Sequence, residues 1–240
     1  MINHRTKLYE HYHSDFNSRI SNINAKVLIS LYHHYDIKIL PFLKSFDKDI
    51  NILELGCGPG YLLDYLKLKG FKNFKAIDIS NEQIELAKAK GHNVKVDDVF
   101  LYLKNSSEKF DAIFAFDLVE HFTKDELLEL TDLVFNSLNN EGLLFIRTPN
   151  GQGIFPGQVI YGDLTHQTIL NPNSLTQLLI QSGFTQIYFI ENSPVVKNLN
   201  GLIRLFLWKL IKLFLNFIKM VESGGKQDIW TQDFYCIAKK

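Results

Sequence analysis

The stretch "NILELGCGPGY", Asn51 to Tyr61, sets three glycines within five residues directly after an apolar run. A short strand, a glycine turn and a helix start together make a site for a nucleotide-type ligand. Glycines let a backbone come close to a ligand, and a helix N-terminus offers free N–H groups. Two common versions of this turn fit poorly. A phosphate loop ends in Gly-Lys-Ser/Thr, whereas this loop runs Gly60-Tyr61-Leu62. A dinucleotide fingerprint needs a third glycine at position 61, which is Tyr61, and Pro59 stands inside the turn.

Further along, short β-type runs alternate with helical patterns. "DINILELG", "FKNFKAIDI", "HNVKVD", "FDAIFAFD" and "GLLFIRTP" read as strands, followed by "FTQIYFIEN" and "DFYCIAKK". "YLLDYLKLKG", "SNEQIELAKAKG" and "TKDELLELTDLVFNSLNNEG" read as the helices between the early strands. Such alternation predicts an α/β fold with a doubly wound, Rossmann-like sheet covered on both faces. Residues from about Tyr9 to Phe46 form a helical pattern that Pro41 interrupts, giving an N-terminal helical cap. With no low-complexity linker or repeat, the 240 residues read as one domain. It divides into a cap (1–48), a cofactor-binding core (49–150) and an acceptor side (151–240).

The pattern Glu54-x-Gly56-Cys57-Gly58-x-Gly60 resembles the first motif of the class I S-adenosylmethionine-dependent methyltransferases. The resemblance implies a seven-stranded sheet of order 3-2-1-4-5-7-6 with an antiparallel last strand, and S-adenosylmethionine as cofactor. It also implies roles. Asp78, about twenty residues past the loop, accepts from both ribose hydroxyls, and Ile79 lies on the adenine. Asp98, or alternatively Asp97, accepts from the exocyclic amine, with the Val99 N–H facing the ring. Asp117, after the fourth strand, contacts the methionine portion or the acceptor, and Leu118 beside it joins the cofactor-binding residues. A Tyr on the N-terminal helix, Tyr9 or Tyr12, closes the pocket.

"FDLVEHF" places Asp117, Glu120 and His121 at the strand end from which the methyl group should project, and sugar- and quinone-directed relatives share this pattern. His121 is the candidate general base; the alternative is that Glu120 and His121 only brace the next helix. "YGDLTHQ" resembles the Gly-Asp-x-Thr-His segment of methyltransferases encoded beside glycan-assembly genes, which adds Asp163 and His166 to the candidate catalytic residues, with His166 as base or acceptor ligand and, as the equal alternative, a residue that only pins the loop. The following helix is expected to be capped near Asn173 or Ser174. Together these imply O-methylation of a sugar or phosphoryl-linked group in capsule or lipopolysaccharide assembly. A quinone or aromatic hydroxyl acceptor and a non-catalytic binding module stand as alternatives.

Lys plus Arg equals Asp plus Glu at 26 each, so there is no overall positive field to draw nucleic acid as a partner. Cys57 and Cys236 are the only cysteines, no leader pattern is present and His11, His13, His33 and His34 lack companions at ligand spacing. The expectation is a cytoplasmic chain without a metal site. The partner expected is a small-molecule or glycan acceptor. Finally, "LIRLFLWKLIKLFLNFIKMV", Leu202 to Val221, is a helical insertion before the last strand. On it Arg204, Lys209, Lys212, Asn216 and Lys219 fall within roughly 140° and leave a broad apolar face. Packing within the subunit, homodimer contact, membrane attachment at the inner face and an acceptor-site wall all remain open for it.

Overall fold

The computed structural model describes residues 24–240 and Leu8. Tyr9 and Tyr12, read above as closing the pocket, lie outside the described residues. Helix α1 (Ala25–Lys38) is capped by Asn24, whose side chain accepts from the Val27 N–H at 3.1 Å. The helical pattern then breaks at Ile39, and α2 (Leu40–Leu43) restarts with Pro41 in its first turn, where a missing N–H costs nothing.

The core begins with β1 (Asn51–Leu55), α3 (Tyr61–Leu68), β2 (Asn73–Asp78), α4 (Asn81–Ala89), β3 (Val94–Val96), α5 (Val99–Asn105) and β4 (Phe110–Phe116). It continues through a single 3-10 turn at Val119–His121, α6 (Lys124–Ser137) and β5 (Leu138–Pro149). Residues 151–240 hold α7 (Pro156–Ile160), α8 (Pro172–Gln181), β6 (Gln186–Glu191), α9 (Leu199–Ser223) and β7 (Asp233–Lys239). The strands form one seven-stranded sheet in the order 3-2-1-4-5-7-6. β7 runs antiparallel to both β5 and β6, while the pairs among β1 to β5 are parallel. The topology implied by the sequence is the topology observed.

Two boundaries differ from the sequence reading. The helical pattern read through to "NNEG" ends at Ser137, and Leu138 to Gly142 belong to β5, with a register irregularity opposite Phe110 and Ala112 and Glu141 at φ 67°. Helix α8 is capped by Asn171, not Asn173 or Ser174. Asn171 and Ser174 exchange side-chain and backbone hydrogen bonds at 2.9 Å each, and Pro172 supplies the first helical residue.

Alternation along each strand divides the core between the two faces of the sheet, as burial on both sides requires. Leu53, Leu55, Ile113 and Ala115 pack on one face, against Leu127, Leu130 and Val134 of α6. Ile52, Ala112, Phe114 and Phe145 pack on the other, against Leu62 and Leu66 of α3 and Tyr35 of α1. Helix α1 is fastened there by Asp36, which accepts from the Tyr65 hydroxyl at 2.9 Å and pairs with Lys69 at 2.5 Å. Phe145 is fully buried and stacks on Phe114 with ring centroids 4.5 Å apart. Truncation by Phe145→Ala is expected to cost about 3 to 5 kcal/mol, because the rigid central strands cannot close the cavity. Urea unfolding of the two proteins reads this difference directly; a loss under about 1 kcal/mol would contradict the packing described.

Candidate active site

At the carboxyl edge of β1, β2 and β4 lies a cavity of about 1050 Å³. The loop after β1 forms its floor. Gly56, Gly58 and Gly60 all take positive φ, at 71°, 52° and 78°, a turn that side chains resist. At Gly56 a Cβ would also stand 3.0 Å from the Leu118 side chain across the cavity edge. The Gly58 N–H donates to Asp78 Oδ2 and the Ser80 N–H to Asp78 Oδ1, both at 2.8 Å. Burial pushes the Asp78 carboxyl pKa up and these two amides pull it back, so the side chain is held in a set orientation with lone pairs remaining on each oxygen.

The cavity wall includes Glu54, Cys57, Asp78, Ile79, Asp97, Asp98, Val99, Asp117, Leu118 and His121. Most of the residues assigned to the cofactor from sequence are therefore brought together. Ile79 is 53% exposed, an apolar surface open to the cavity. Asp98 caps α5, with Oδ1 accepting from the Phe100 and Leu101 N–H groups at 2.9 and 3.0 Å. Asp97 is engaged by Lys95 at 2.6 Å. Gly60 is a correction: it stands outside the lining. Its φ turns the chain into α3, and a Cβ there would meet the His92 ring at 3.0 Å.

Electrostatics decide what fits this space. Among the described residues six carboxyl groups line it, from Glu54, Asp78, Asp97, Asp98, Asp117 and Glu126, against the single guanidinium of Arg147. Glu54 is buried and its Oε2 has no hydrogen-bond partner; burial, with the charge of Asp78 adding, pushes its pKa well above the usual carboxylate range. An acceptor left in this state favours a ligand that brings a donor or a positive charge. A sulfonium cofactor with an ammonium group brings both, and the donor set fits it. Cys57 is buried and its thiol is pushed far up by burial, which leaves it a packing residue and no nucleophile.

Arg147 is the residue that motif reading missed. It is the one charge in the strand run Leu143 to Pro149, and a lone arginine in an apolar strand needs an anionic partner. That partner is Asp117, engaged through both Nε and a terminal nitrogen, the former at 2.9 Å. Asp117 sits at φ 50°, a conformation uncommon outside glycine, so the pair holds both a side chain and a turned backbone at the end of β4. Tyr35 of α1 adds an aromatic wall beside Phe116, with ring centroids 5.9 Å apart.

The acceptor side is joined to β4 through Glu120 and His121. The Glu120 carbonyl accepts from the Gln167 and Thr168 N–H groups at 2.8 and 3.1 Å, and its carboxyl from the Thr148 hydroxyl at 3.1 Å. His121 Nδ1 lies 2.8 Å from the Thr165 hydroxyl, which donates to Asp163 Oδ1 at 2.6 Å. Thr165 has one hydroxyl proton and the carboxylate takes it, so Nδ1 of His121 carries the N–H and Nε2 the lone pair. His166 Nδ1 donates to the Ile160 carbonyl at 2.9 Å, which leaves its own lone pair on Nε2. The two imidazoles meet edge to face at 4.9 Å.

Two of the candidate residues stand outside the cavity lining. Asp163 Oδ1 accepts from the Thr165 N–H and hydroxyl. His166 holds the loop through the Ile160 carbonyl, the alternative offered for it from sequence, and packs on His121. Thr165, inside the quoted segment yet not singled out from sequence, is the link. One ligand atom each from Glu120, His121 and His166 lies within 4.8 Å of the others, a spacing that a divalent ion can bridge. Spacing along the chain gave no sign of it, because 45 residues separate His121 from His166.

The comparisons with known proteins agree with this geometry. The carboxyl-edge cavity, the glycine loop and the ribose-type carboxylate define a nucleoside-cofactor enzyme of the doubly wound class. Residues 30–188 match the family model described as a methyltransferase domain. The chain belongs to the class I S-adenosylmethionine-dependent methyltransferases, and S-adenosylmethionine is its cofactor. It is 25% identical over 186 residues to a ubiquinone biosynthesis O-methyltransferase of Bartonella tribocorum, covering 71% of this chain and 72% of that protein. In fold it resembles a SAM-dependent methyltransferase from Archaeoglobus fulgidus, with a TM-score of 0.67, 22% identity, and coverage of 89% of this chain and 94% of that one. It also resembles magnesium protoporphyrin IX methyltransferase from Synechocystis with bound SAM, with a TM-score of 0.62, 12% identity, and coverage of 100% and 98%.

Two measurements test the site. Asp78→Asn removes the charge that accepts from the loop amide and the ribose, and should weaken S-adenosylhomocysteine binding by about 100-fold in calorimetry. Unchanged affinity would place the ribose elsewhere. Burial, with the charge of His166 next, holds the His121 pKa below its ordinary value of 6.5. A base with a lowered pKa is already neutral at pH 7. The expected kcat/KM is flat from pH 7 upward and falls only as acid carries the solution below 6.5; an acid limb centred above pH 7 would exclude His121 as its source.

Proposed function

We propose that this methyltransferase O-methylates a sugar hydroxyl or phosphoryl-linked group of a bacterial surface glycan or its precursor, with His121 as general base. The observation that carries this reading is the chain Asp163, Thr165, His121, which presents an imidazole lone pair at the end of β4 beside the cavity. When bound, the cofactor supplies an activated methyl group on a sulfonium. Gly56, Gly58 and Asp78 would hold that cofactor, and its methyl group would be transferred to the acceptor oxygen with the sulfur keeping the electron pair of the broken bond. The hydroxyl proton passes to Nε2 of His121. Thr165 and Asp163 hold the ring in the tautomer that can take that proton and steady the imidazolium that results. The Asp117–Arg147 pair gives the cavity a fixed polar wall that can meet the hydroxyls of a sugar-like acceptor.

A second reading, an aromatic hydroxyl such as a quinone precursor, is supported by the similarity to the Bartonella tribocorum ubiquinone biosynthesis O-methyltransferase. Against it stands the Gly-Asp-x-Thr-His loop, whose polar residues assemble on His121. Methyl-labelled S-adenosylmethionine incubated separately with nucleotide sugars, glycan extract and quinone precursors separates the two. Label in a sugar or glycan fraction is expected; label confined to the quinone fraction would replace the first reading by the second.

The base assignment has its own tests. His121→Ala should lower kcat by about 10² to 10⁴-fold with cofactor affinity unchanged. Thr165→Val should lower kcat by about 10- to 100-fold and shift the acid limb, while Thr165→Ser restores both, since only the hydroxyl is needed. A chelator should leave turnover unchanged; loss of activity that a divalent ion restores would assign Glu120, His121 and His166 to metal binding and not to proton transfer.

A further inference from the structure

Helix α9 spans 25 residues, about 37 Å, and has no buried residue. The side it turns to the rest of the chain is half-buried and carries its polar anchors. The Trp208 indole N–H and Lys212 ammonium both donate to Glu191 Oε2, at 3.1 and 2.9 Å, Lys212 also reaches the Asp228 carbonyl at 2.5 Å, and Asn216 accepts from the Gln227 N–H at 2.7 Å. The opposite side is apolar and open. Phe206, Leu210, Leu213, Phe214, Phe217 and Val221 are between 48% and 74% exposed. Among the described residues nothing covers this face. Of the placements the sequence left open for this helix, packing of the apolar face within the subunit is not made by the described residues.

We propose that the outward face of α9 is a docking surface for an anionic lipid bilayer, on which the helix lies parallel to the membrane plane. Three observations select this occupant. Between Leu202 and Val221 the outward arc is about 180° wide at 100° per residue with no charged side chain inside it, and Arg204 and Lys209 flank its two edges. A partner helix covers a stripe of only about 100°, so a second copy pairing through this helix would leave its margins in water, whereas a planar surface covers the whole arc. From Lys197 to Lys226 there are six cations, Lys197, Arg204, Lys209, Lys212, Lys219 and Lys226, against one acid, Glu222, in a chain whose net charge is zero. Two copies would bring like charges together; an anionic headgroup layer would attract them. The helix does not cross a bilayer: no helix among the described residues is long and apolar enough to do so.

The placement of α9 gives this surface a direction. Glu191, to which the helix is tied, ends β6, which runs parallel to β5 because both are antiparallel to β7. Its anchor is on the same edge of the sheet as the cofactor cavity. The segment after α9 also holds the start of the acceptor loop: Gln227 Nε2 donates to the Gln152 carbonyl at 2.8 Å and Asn150 N–H to the Gln232 carbonyl at 2.7 Å. A bilayer under α9 therefore meets the edge through which an acceptor enters, and the acceptor class it suits is a hydroxyl carried on a lipid. The docking surface itself rests on α9 alone and stands or falls without the acceptor reading.

Flotation of the full chain with vesicles tests it, once with phosphatidylcholine alone and once with phosphatidylglycerol added. Binding is expected with the anionic vesicles and weaker on the order of 100-fold without them, as several basic side chains near the surface each contribute. The double variant Phe206→Glu with Phe214→Glu should lose flotation while keeping calorimetric cofactor binding, which shows that it folds. Leu128→Glu, an exposed apolar position on α6, should float as the parent does. No flotation of the parent chain overturns the proposal, and a concentration-dependent dimer in sedimentation that the double variant dissolves would then give the face to a second copy. Flotation that the double variant keeps removes the helix from the assignment, and equal binding to neutral vesicles removes its electrostatic half.

Discussion

The Asp78 carboxylate joins the end of β2 to the loop that leaves β1, accepting from the Gly58 and Ser80 N–H groups at once. That junction depends on Gly58 at φ 52°, which turns its N–H toward the neighbouring strand where a side chain would resist the turn. Once the loop is held there, its backbone forms the cavity floor and Gly60 starts α3 behind it. The cofactor site is thus a consequence of parallel strand order: only a sheet with β1 between β2 and β4 puts all three carboxyl ends beside one loop.

Around this junction the molecule gathers more negative charge than a buried surface ordinarily holds. Burial pushes Glu54 and Glu120 toward their neutral forms, and the nearby charges of Asp78 and Asp117 act in the same direction. Arg147 compensates at one point only, through Asp117. A cationic ligand completes such a cavity by supplying the charge that the protein withholds, so stabilisation that the free enzyme lacks becomes available on binding.

The acceptor side is built by contacts that span long stretches of chain. Glu120 holds the 167–168 backbone, Thr165 holds His121, and the residues after α9 hold the segment from Asn150 to Ile154. Donor and acceptor portions of the site are therefore rigidly referenced to β4 and β5, while α9 hangs from the same edge with its apolar face outward. A helix that turns its polar anchors inward reverses the usual arrangement of a surface helix, and the reversal calls for a covering surface beyond the described residues.

Alternation of strands and helices was sufficient for an α/β sheet covered on both faces, because periodicity records local structure, whereas the sheet order and the cofactor were legible only through the resemblance of the glycine loop and the Asp78 strand end to the methyltransferase motifs. The helix cap at Asn171 was misplaced by two residues, a boundary that hydrogen bonding settles and composition does not. The roles of Arg147, Thr165, Asp163 and His166 were decided only by tertiary structure. Each depends on a partner from another element, as with Arg147 on Asp117 or Thr165 on His121, and such pairings leave no periodic trace. The apolar stripe of α9 was legible from its spacing, but which way it faced was not, since amphipathic periodicity fixes the width of a face and only the docking contacts at Glu191 fix its direction.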